Sequence, residues 1–534
     1  MKFLNRIIRK KILEPLQPSD DEKLIASSSL FDAQYYIKNY MPENMSGDIN
    51  MAKNKAIRHF LTEGVKCGLN PSDDFNTVWY LSRYKDVAHH GMNPLVHYLQ
   101  FGKEEGRRTK PPIIDKAESQ LKKRRNDLVF FSSRTDGFGE RLKSLLNAMV
   151  LADYFNSDFK FTWAVSSYLG ETHAVSSPEE TFSDTFIASH MVNQLPENVV
   201  DLSDVENLVF PKTHTALNVK VSQVNLFRLY PSLDEKISDS VFADAFRKIN
   251  FSIPILEAIN LANNICLPES CVSIHLRSGD IVYGRYRFDD RYTNKVISYA
   301  QADYLINTFN KNNTKVVLFG QNESVCHYFA EKYDCLYFGG DKSVAALSSL
   351  QQAIFDMVLM SRTNKIYAGN SGFSQLAELI GKAKICSAED DFDQKQMAEY
   401  IGRLLDSDEV KKFDDFQNAF SCWHYVFHFN GVMSQESAIK YLNKAITFTG
   451  DCLFYHIVLS SYYYLAGYKE EAEANIDYVI KKKNEKTDVV GDYNYLTKFK
   501  YSDGKCPLYK YRGVLLQMSK DGISGAGEIF RDSR

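Results

Sequence analysis

The 534-residue chain has no C-x-x-C pair, and its nine cysteines are scattered from Cys67 to Cys506. An odd count without paired spacing argues against a structural zinc site and a disulfide framework, and it fits a reducing cytosol. No apolar run of about 18 residues occurs, so integral membrane insertion is not expected. Neither sign of charge is in excess: the formal net charge is -3, which offers nothing for wholesale nucleic-acid binding. The amino-terminal stretch has no apolar core of signal-peptide type. Phe3, Leu4, Ile7, Ile8, Ile12 and Leu13 can instead share one helix face, with Arg6, Arg9, Lys10 and Lys11 on the remainder. Such a basic amphipathic segment (1–26) suits peripheral contact with an anionic inner membrane, or it is a docked first helix.

What is present is ordinary for a soluble globular chain, with 44% hydrophobic and 25% charged residues, and the length implies three or four domains. Residues 27–108 hold two copies of a degenerate repeat. The first has Phe31-Asp32, Tyr35-Tyr36-Ile37, His59-Phe60-Leu61 and Gly64; the second has Phe75-Asn76, Trp79-Tyr80-Leu81, His97-Tyr98-Leu99 and Gly102. Each copy reads as two short helices with packed rather than ligating histidines. A linker (109–126) follows, containing Lys110-Pro111-Pro112 and a basic run.

Two α/β regions come next. In the first (127–265), Asp127–Ser132 is a buried strand, and Gly137-Phe138-Gly139 opens a long helix carrying Leu142, Leu145, Leu146 and Met149. Strand, glycine turn and helix start make a place for an anion. The position after Arg141 is Leu142 and not the third glycine of the dinucleotide fingerprint, which excludes a nicotinamide or flavin site. Phe159–Trp163 is read as the next strand and Phe242–Leu261 as helix. In the second region (266–400), Val272, Ile274 and Leu276 alternate with Ser273, His275 and Arg277, the period of a strand. Ser278-Gly279-Asp280 ends it. Ligands of open α/β sheets bind beyond the carboxyl ends of strands, and an arginine there suits a pyrophosphate. The plain alternative is an ion pair between Arg277 and Asp280. Lys315–Gly320, Cys335–Phe338 and Lys365–Ala368 are read as further strands of a parallel sheet. Asp356 lies on a helix, and Ser371, Ser374 and Gln375 sit at another helix start, again a phosphate-compatible arrangement. Residues 401–485 are helical. The turn Ala466-Gly467-Tyr468 with its flanking helices resembles a tetratricopeptide repeat; with one good copy visible, it is either a short helical cap or part of an array that binds a protein partner. The tail 486–534 is expected to be poorly ordered toward its end.

Three elements stand in this order: Gly137-Phe138-Gly139, His275-x-Arg277, and Asp356 followed by Ser371 to Gln375. Over residues 127–400 the chain thereby resembles the fucosyltransferase-like glycosyltransferases, which include bacterial α-1,2- and α-1,6-fucosyltransferases and protein O-fucosyltransferases. The repeats, above all Asn93-Pro94-Leu95-Val96-His97-Tyr98-Leu99 with Glu105-Gly106-Arg107, resemble those of bacterial polysaccharide-synthesis glycosyltransferases. The resemblance implies a GT-B fold: two Rossmann-like domains facing a cleft, here flanked by helical repeats and a TPR-like helical region. It implies a cytoplasmic enzyme that transfers a sugar from a GDP-sugar, GDP-L-fucose first, to a bacterial surface glycan with inversion. Gly137, Gly139, His275, Arg277, Asp356, Ser371, Ser374 and Gln375 would bind the donor. Arg277 would stabilise the departing diphosphate, so neither cofactor nor metal is expected. Asp391-Phe392-Asp393 has the letters of a metal motif but reads as a solvated loop. Asp136 is the candidate base and Glu140 its alternative, unless both merely cap the helix. Another nucleotide sugar, a protein acceptor, or a non-catalytic scaffold of a glycan-assembly complex are the alternatives.

Overall fold

The structure is a computed structural model that describes residues 19–41, 49–110, 124–165, 175–204, 217–230, 233, 240–485, 489–501 and 504–533. Most of the basic amino-terminal segment and of the 109–126 linker lie outside the described residues.

The repeats share one local construction. Asp32 caps the helix Ala33–Tyr40 and Asn76 caps Thr77–Arg83. The later helix of each copy, Ile49–His59 or Pro94–His97, runs into one π turn, Phe60–Gly64 or Tyr98–Gly102. The Tyr36 hydroxyl is hydrogen-bonded to His59 Nδ1 at 2.9 Å and that of Tyr80 to His97 Nδ1 at 3.0 Å. A side chain at Gly64 or Gly102 would run into the same hydroxyls. The recurring Tyr, His and Gly are therefore one packing device, and both histidines are packed helix residues. Gly102→Ala is expected to destabilise this unit by about 1–3 kcal/mol through overpacking. Tyr80→Phe in the same chain should return part of that loss in thermal unfolding, and an unchanged melt of Gly102→Ala would show that the glycine has another purpose. Asn76 and Arg228 tie the unit to the first α/β region: Asn76 Nδ2 donates to the Arg228 carbonyl and Arg228 Nη2 to the Cys67 carbonyl, each at 2.9 Å.

The described residues form a mixed α/β structure with two four-stranded parallel sheets. The first contains β1 (Arg125–Ser132), β2 (Ser157–Phe161), β3 (Val199–Asp201) and β4 (Leu217–Val221) in the order β2-β1-β4-β3. The second contains β5 (Cys271–Leu276), β6 (Lys315–Gly320), β7 (Lys365–Ala368) and β8 (Lys384–Cys386) in the order β6-β5-β7-β8. The helices that build the site are α1 (Phe138–Phe155), α2 (Ile253–Asn264), α3 (Tyr299–Lys311), α4 (Glu323–Tyr333), α5 (Ser349–Ser361) and α6 (Gly372–Ile380). Helix α2 packs on α5, and α1 packs on α6, so the two α/β units touch along both pairs.

The second sheet is covered on both sides. Val317, Phe319 and Ile366 join the core of the first unit, whereas Val272, Ile274, Leu276, Val316 and Leu318 join a core that continues into the carboxy-terminal helices. Central strand β5 is consequently buried along its whole length. The helices Asp415–Phe429, Gln435–Phe448, Leu453–Ala466 and Lys469–Asn484 each pack on the next.

Four expectations need correction. Cys335–Phe338 is not a strand: Leu336 makes a single bridge to Val317 and the chain then turns away. Phe242–Leu261 is two helices, Val241–Lys248 and Ile253–Asn264, because Pro254 starts a new one rather than continuing the old. Strands β3 and β4 were not anticipated; they are three and five residues long. The 486–534 tail is helical over Val489–Lys498, Arg512–Lys520 and Ser524–Asp532, and it buries Tyr493, Leu496, Leu515, Met518 and Ile529. Its polar average conceals apolar residues at helical spacing. No helix among the described residues is long and apolar enough to cross a membrane.

Candidate active site

The chain leaves β5 at Leu276, and Arg277 emerges at the strand's carboxyl end. Its Nη2 donates to Asp280 Oδ1 at 3.2 Å, and both side chains are largely buried. The ion pair offered by the plain reading is therefore present, and it holds the guanidinium close to the strand end. Gly279 takes a φ of 36°, which lets the chain turn into the short helix Gly279–Val282 that carries Asp280. His275 is 8% exposed, and its ring lies 5.4 Å from that of Phe373 at the start of α6. Burial first, then the Arg277 charge, push its pKa down to about 4. The ring is thus neutral at physiological pH, and its Nδ1 is buried without a hydrogen-bond partner among the described residues.

Two helix starts meet beside this strand. Gly137 caps α1 and Ser371 caps α6, the Ser371 hydroxyl accepting from the Phe373 N–H at 3.2 Å. A Cβ on Gly139 would lie 3.0 Å from the Gly372 carbonyl oxygen, and one on Gly372 would strike the Glu140 carboxylate. Only glycines permit this approach, which brings the amino-terminal ends of the two helices, with their partial positive charge, together. Lys143, one turn further along α1, donates to Gln375 Oε1 at 2.6 Å and pairs with Glu140 at 3.0 Å. Gln375 in turn donates to Asn370 Oδ1 at 2.5 Å. The Lys143–Gln375 bond thus latches the first α/β unit to the second. Ser374 is 0% exposed and donates its hydroxyl to the Ser371 carbonyl at 3.1 Å, so its side chain serves the helix start.

Lys295 completes the cluster. Arg277, Glu140, Asp280 and Lys143 all act on its charge, and burial followed by Arg277 hold its ammonium below the usual lysine range. Neither Lys143 nor Lys295 was anticipated from sequence. Lys143 could have been found, since it lies one helical turn beyond Gly139. Lys295 sits in a loop that carries no motif.

The candidate bases are both engaged. Asp136 accepts from Arg134, including Nε at 3.2 Å, and Arg134 is held above its ordinary range by that carboxylate. Glu140 is bound to Lys143. Each could take a proton only after its cationic partner moved toward an incoming anion.

Asp356 stands apart, on α5 near Cys326 and Tyr337, by the carboxyl end of β6. Burial pushes its pKa up to about 7. A small pocket is lined by Arg277 together with Ser278, Tyr299, Asn322 and Gln417. The 391–393 aspartates have structural duties: Asp391 accepts from Lys365 and Tyr367, and Asp393 caps the helix Gln394–Asp406.

No family model and no curated protein matches the sequence. Among solved structures, the fucosyltransferase NodZ from Bradyrhizobium aligns with 50% of this chain and 97% of its own at 16% identity and a TM-score of 0.33. POFUT1 in complex with GDP aligns with 50% of this chain and 100% of its own at 11% identity and a TM-score of 0.29. Likenesses this slight carry no weight.

Proposed function

We propose that the chain is a glycosyltransferase that takes its sugar from a nucleoside diphosphate, GDP-L-fucose first among the candidates. The observation that carries this reading is the convergence of Arg277, Lys143 and Lys295 with the starts of α1 and α6 at the carboxyl end of β5. Three cations balanced by the two carboxylates of Asp280 and Glu140 leave the cluster net positive, and the two helix starts add partial positive charge, which suits a pyrophosphate. As the sugar departs, positive charge grows on its anomeric carbon and negative charge on the leaving diphosphate. Preorganised donors that meet the second charge lower the barrier, each by about 3 kcal/mol. Charge neutralisation by Arg277 and its neighbours takes the place of a divalent ion in this proposal. Asp356 would accept from the guanine N–H groups as a carboxylate.

For inversion, the acceptor hydroxyl attacks from the face opposite the diphosphate and gives its proton to a carboxylate. Asp136 is the proposed base and Glu140 the alternative. Binding of a diphosphate would give Lys143 a new partner and so release Glu140, whereas Asp136 would act as base once Arg134 turned away from it. A bacterial surface polysaccharide or lipopolysaccharide is the acceptor class that the amino-terminal repeats suggest.

The test is release of GDP from GDP-L-fucose in EDTA, with and without a bacterial glycan fraction. The expected outcome is slow release without acceptor, faster release with it, and fucose incorporated into the glycan. GDP-fucose that binds but is never consumed under any acceptor condition would instead fit a non-catalytic scaffold.

A further inference from the structure

We infer that Lys295 is a diphosphate-binding residue of this site, supplied by a loop that the carboxy-terminal helices hold against α6. The inference deepens the proposed donor site and rests on it. Four contacts fix the backbone around Lys295. On one side, Trp423 Nε1 donates to Thr293 Oγ1 and His424 Nε2 donates to the Val296 carbonyl, each at 3.0 Å. On the other, the Asn370 N–H donates to the Asn294 carbonyl at 2.9 Å, and Gly369 packs so tightly on the Lys295 carbonyl that no side chain fits there. The loop is pinned between the helix Asp415–Phe429 and the turn that begins α6. Lysine carries its charge on a flexible stem, and a backbone fixed on both sides keeps the region its ammonium can reach beside α6 without a further ordering cost for the loop.

The side chain is placed for that role. Its ammonium lies 4.7 Å from the Tyr292 ring centroid, and Tyr292 stacks on Tyr286 at 4.4 Å. Lys295 makes no ion pair among the described residues, although Arg277 and Lys143 stand close and both already hold carboxylates. With Asp280 and Glu140 balancing Arg277, Lys143 and Lys295, one positive charge is left over among these groups, and a bound anion would meet it. A surface lysine folded over a tyrosine would need neither the pinned backbone nor these neighbours.

The test uses the full-length chain in EDTA. Calorimetry of wild type, Lys295→Met and Lys295→Arg is run with GDP, GMP and inorganic pyrophosphate. Methionine preserves the packing over Tyr292. The expected result is a loss of about tenfold or more for GDP and pyrophosphate in Lys295→Met, little change for GMP, and near-normal binding in Lys295→Arg. Lys295→Met that binds GDP and pyrophosphate as wild type does would overturn the assignment. If Lys295→Met does not fold, acetylation of wild-type Lys295, read by mass spectrometry, decides. Protection by pyrophosphate supports the inference, and an unchanged rate overturns it. Wild type that binds pyrophosphate through Lys295 but no nucleotide sugar would leave this residue's assignment standing and remove the proposed donor. Wild type that binds neither overturns both.

Discussion

Arg277→Ala is expected to lower the rate of sugar transfer by about 10²–10³-fold, the usual cost of removing one preorganised donor from a developing anion. The effect should fall on kcat as well as on donor affinity, because the charge on the diphosphate is larger in the transition state than in the bound donor. Arg277→Lys should recover only part of it: an ammonium keeps the charge but not the planar fork that can hold two phosphate oxygens. The substitution also removes the Asp280 contact, and both groups are largely buried. Some loss of stability is therefore expected in Arg277→Ala, and Arg277→Ala with Asp280→Asn should regain part of it without regaining activity. Thermal unfolding beside steady-state kinetics separates the two effects. Recovery of transfer in the double variant would mean that Arg277 acts only by neutralising Asp280.

Asp356→Asn is expected to show two opposite effects. The carboxyl group has a folded pKa of about 7, raised by burial from an ordinary carboxylate value. The folded state therefore binds this proton more tightly than the unfolded chain does, and the stability so gained is present at low pH and lost as pH rises toward 7. At pH 8 the wild type holds a buried charge that asparagine does not carry. Asp356→Asn should accordingly melt higher than wild type at pH 8, by a smaller margin at pH 5, and nearly with it only below the ordinary carboxylate pKa. Donor binding runs the other way. Guanine N–H groups need a carboxylate to accept them, so GDP affinity should rise with pH up to about 7 and then level off. In Asp356→Asn that pH dependence should vanish, with affinity lower by about 10–100-fold at pH 8. Calorimetry at pH 5.5, 6.5 and 8 checks both statements. A variant that keeps the wild-type affinity and pH profile would exclude Asp356 from the nucleotide pocket.

The parts of this site legible in the sequence are those whose signal is local. The period of two from Val272 to Arg277, followed by Gly279, marks a central strand with a cation at its end, and β5 is that strand. Gly137-Phe138-Gly139 and Ser371 to Gln375 mark helix starts, and α1 and α6 begin there. The two aromatic repeats were visible because Tyr36 and Tyr80 need the same histidine and glycine partners in each copy. Local pattern does not distinguish a side chain that faces ligand from one that closes its own helix: Ser374 bonds back to Ser371, and its motif position reflects the turn. Lys295 was illegible because its placement comes from Trp423 and His424, distant in the chain and on a helix read only as a flanking module. The carboxy-terminal tail was misjudged for a related reason. Average polarity hid Leu515, Met518 and Ile529, whose spacing buries them against helices that precede them in sequence.

Arg277 and its neighbours are proposed to bind a nucleoside diphosphate without metal. Titration of the wild type and Arg277→Ala with GDP, UDP and CMP in EDTA, followed by calorimetry, tests it most directly. Saturable GDP binding by the wild type, weaker binding of the other two, and loss of the GDP signal in Arg277→Ala are expected. Equal GDP binding by both proteins, or no nucleotide binding by the wild type, would contradict it.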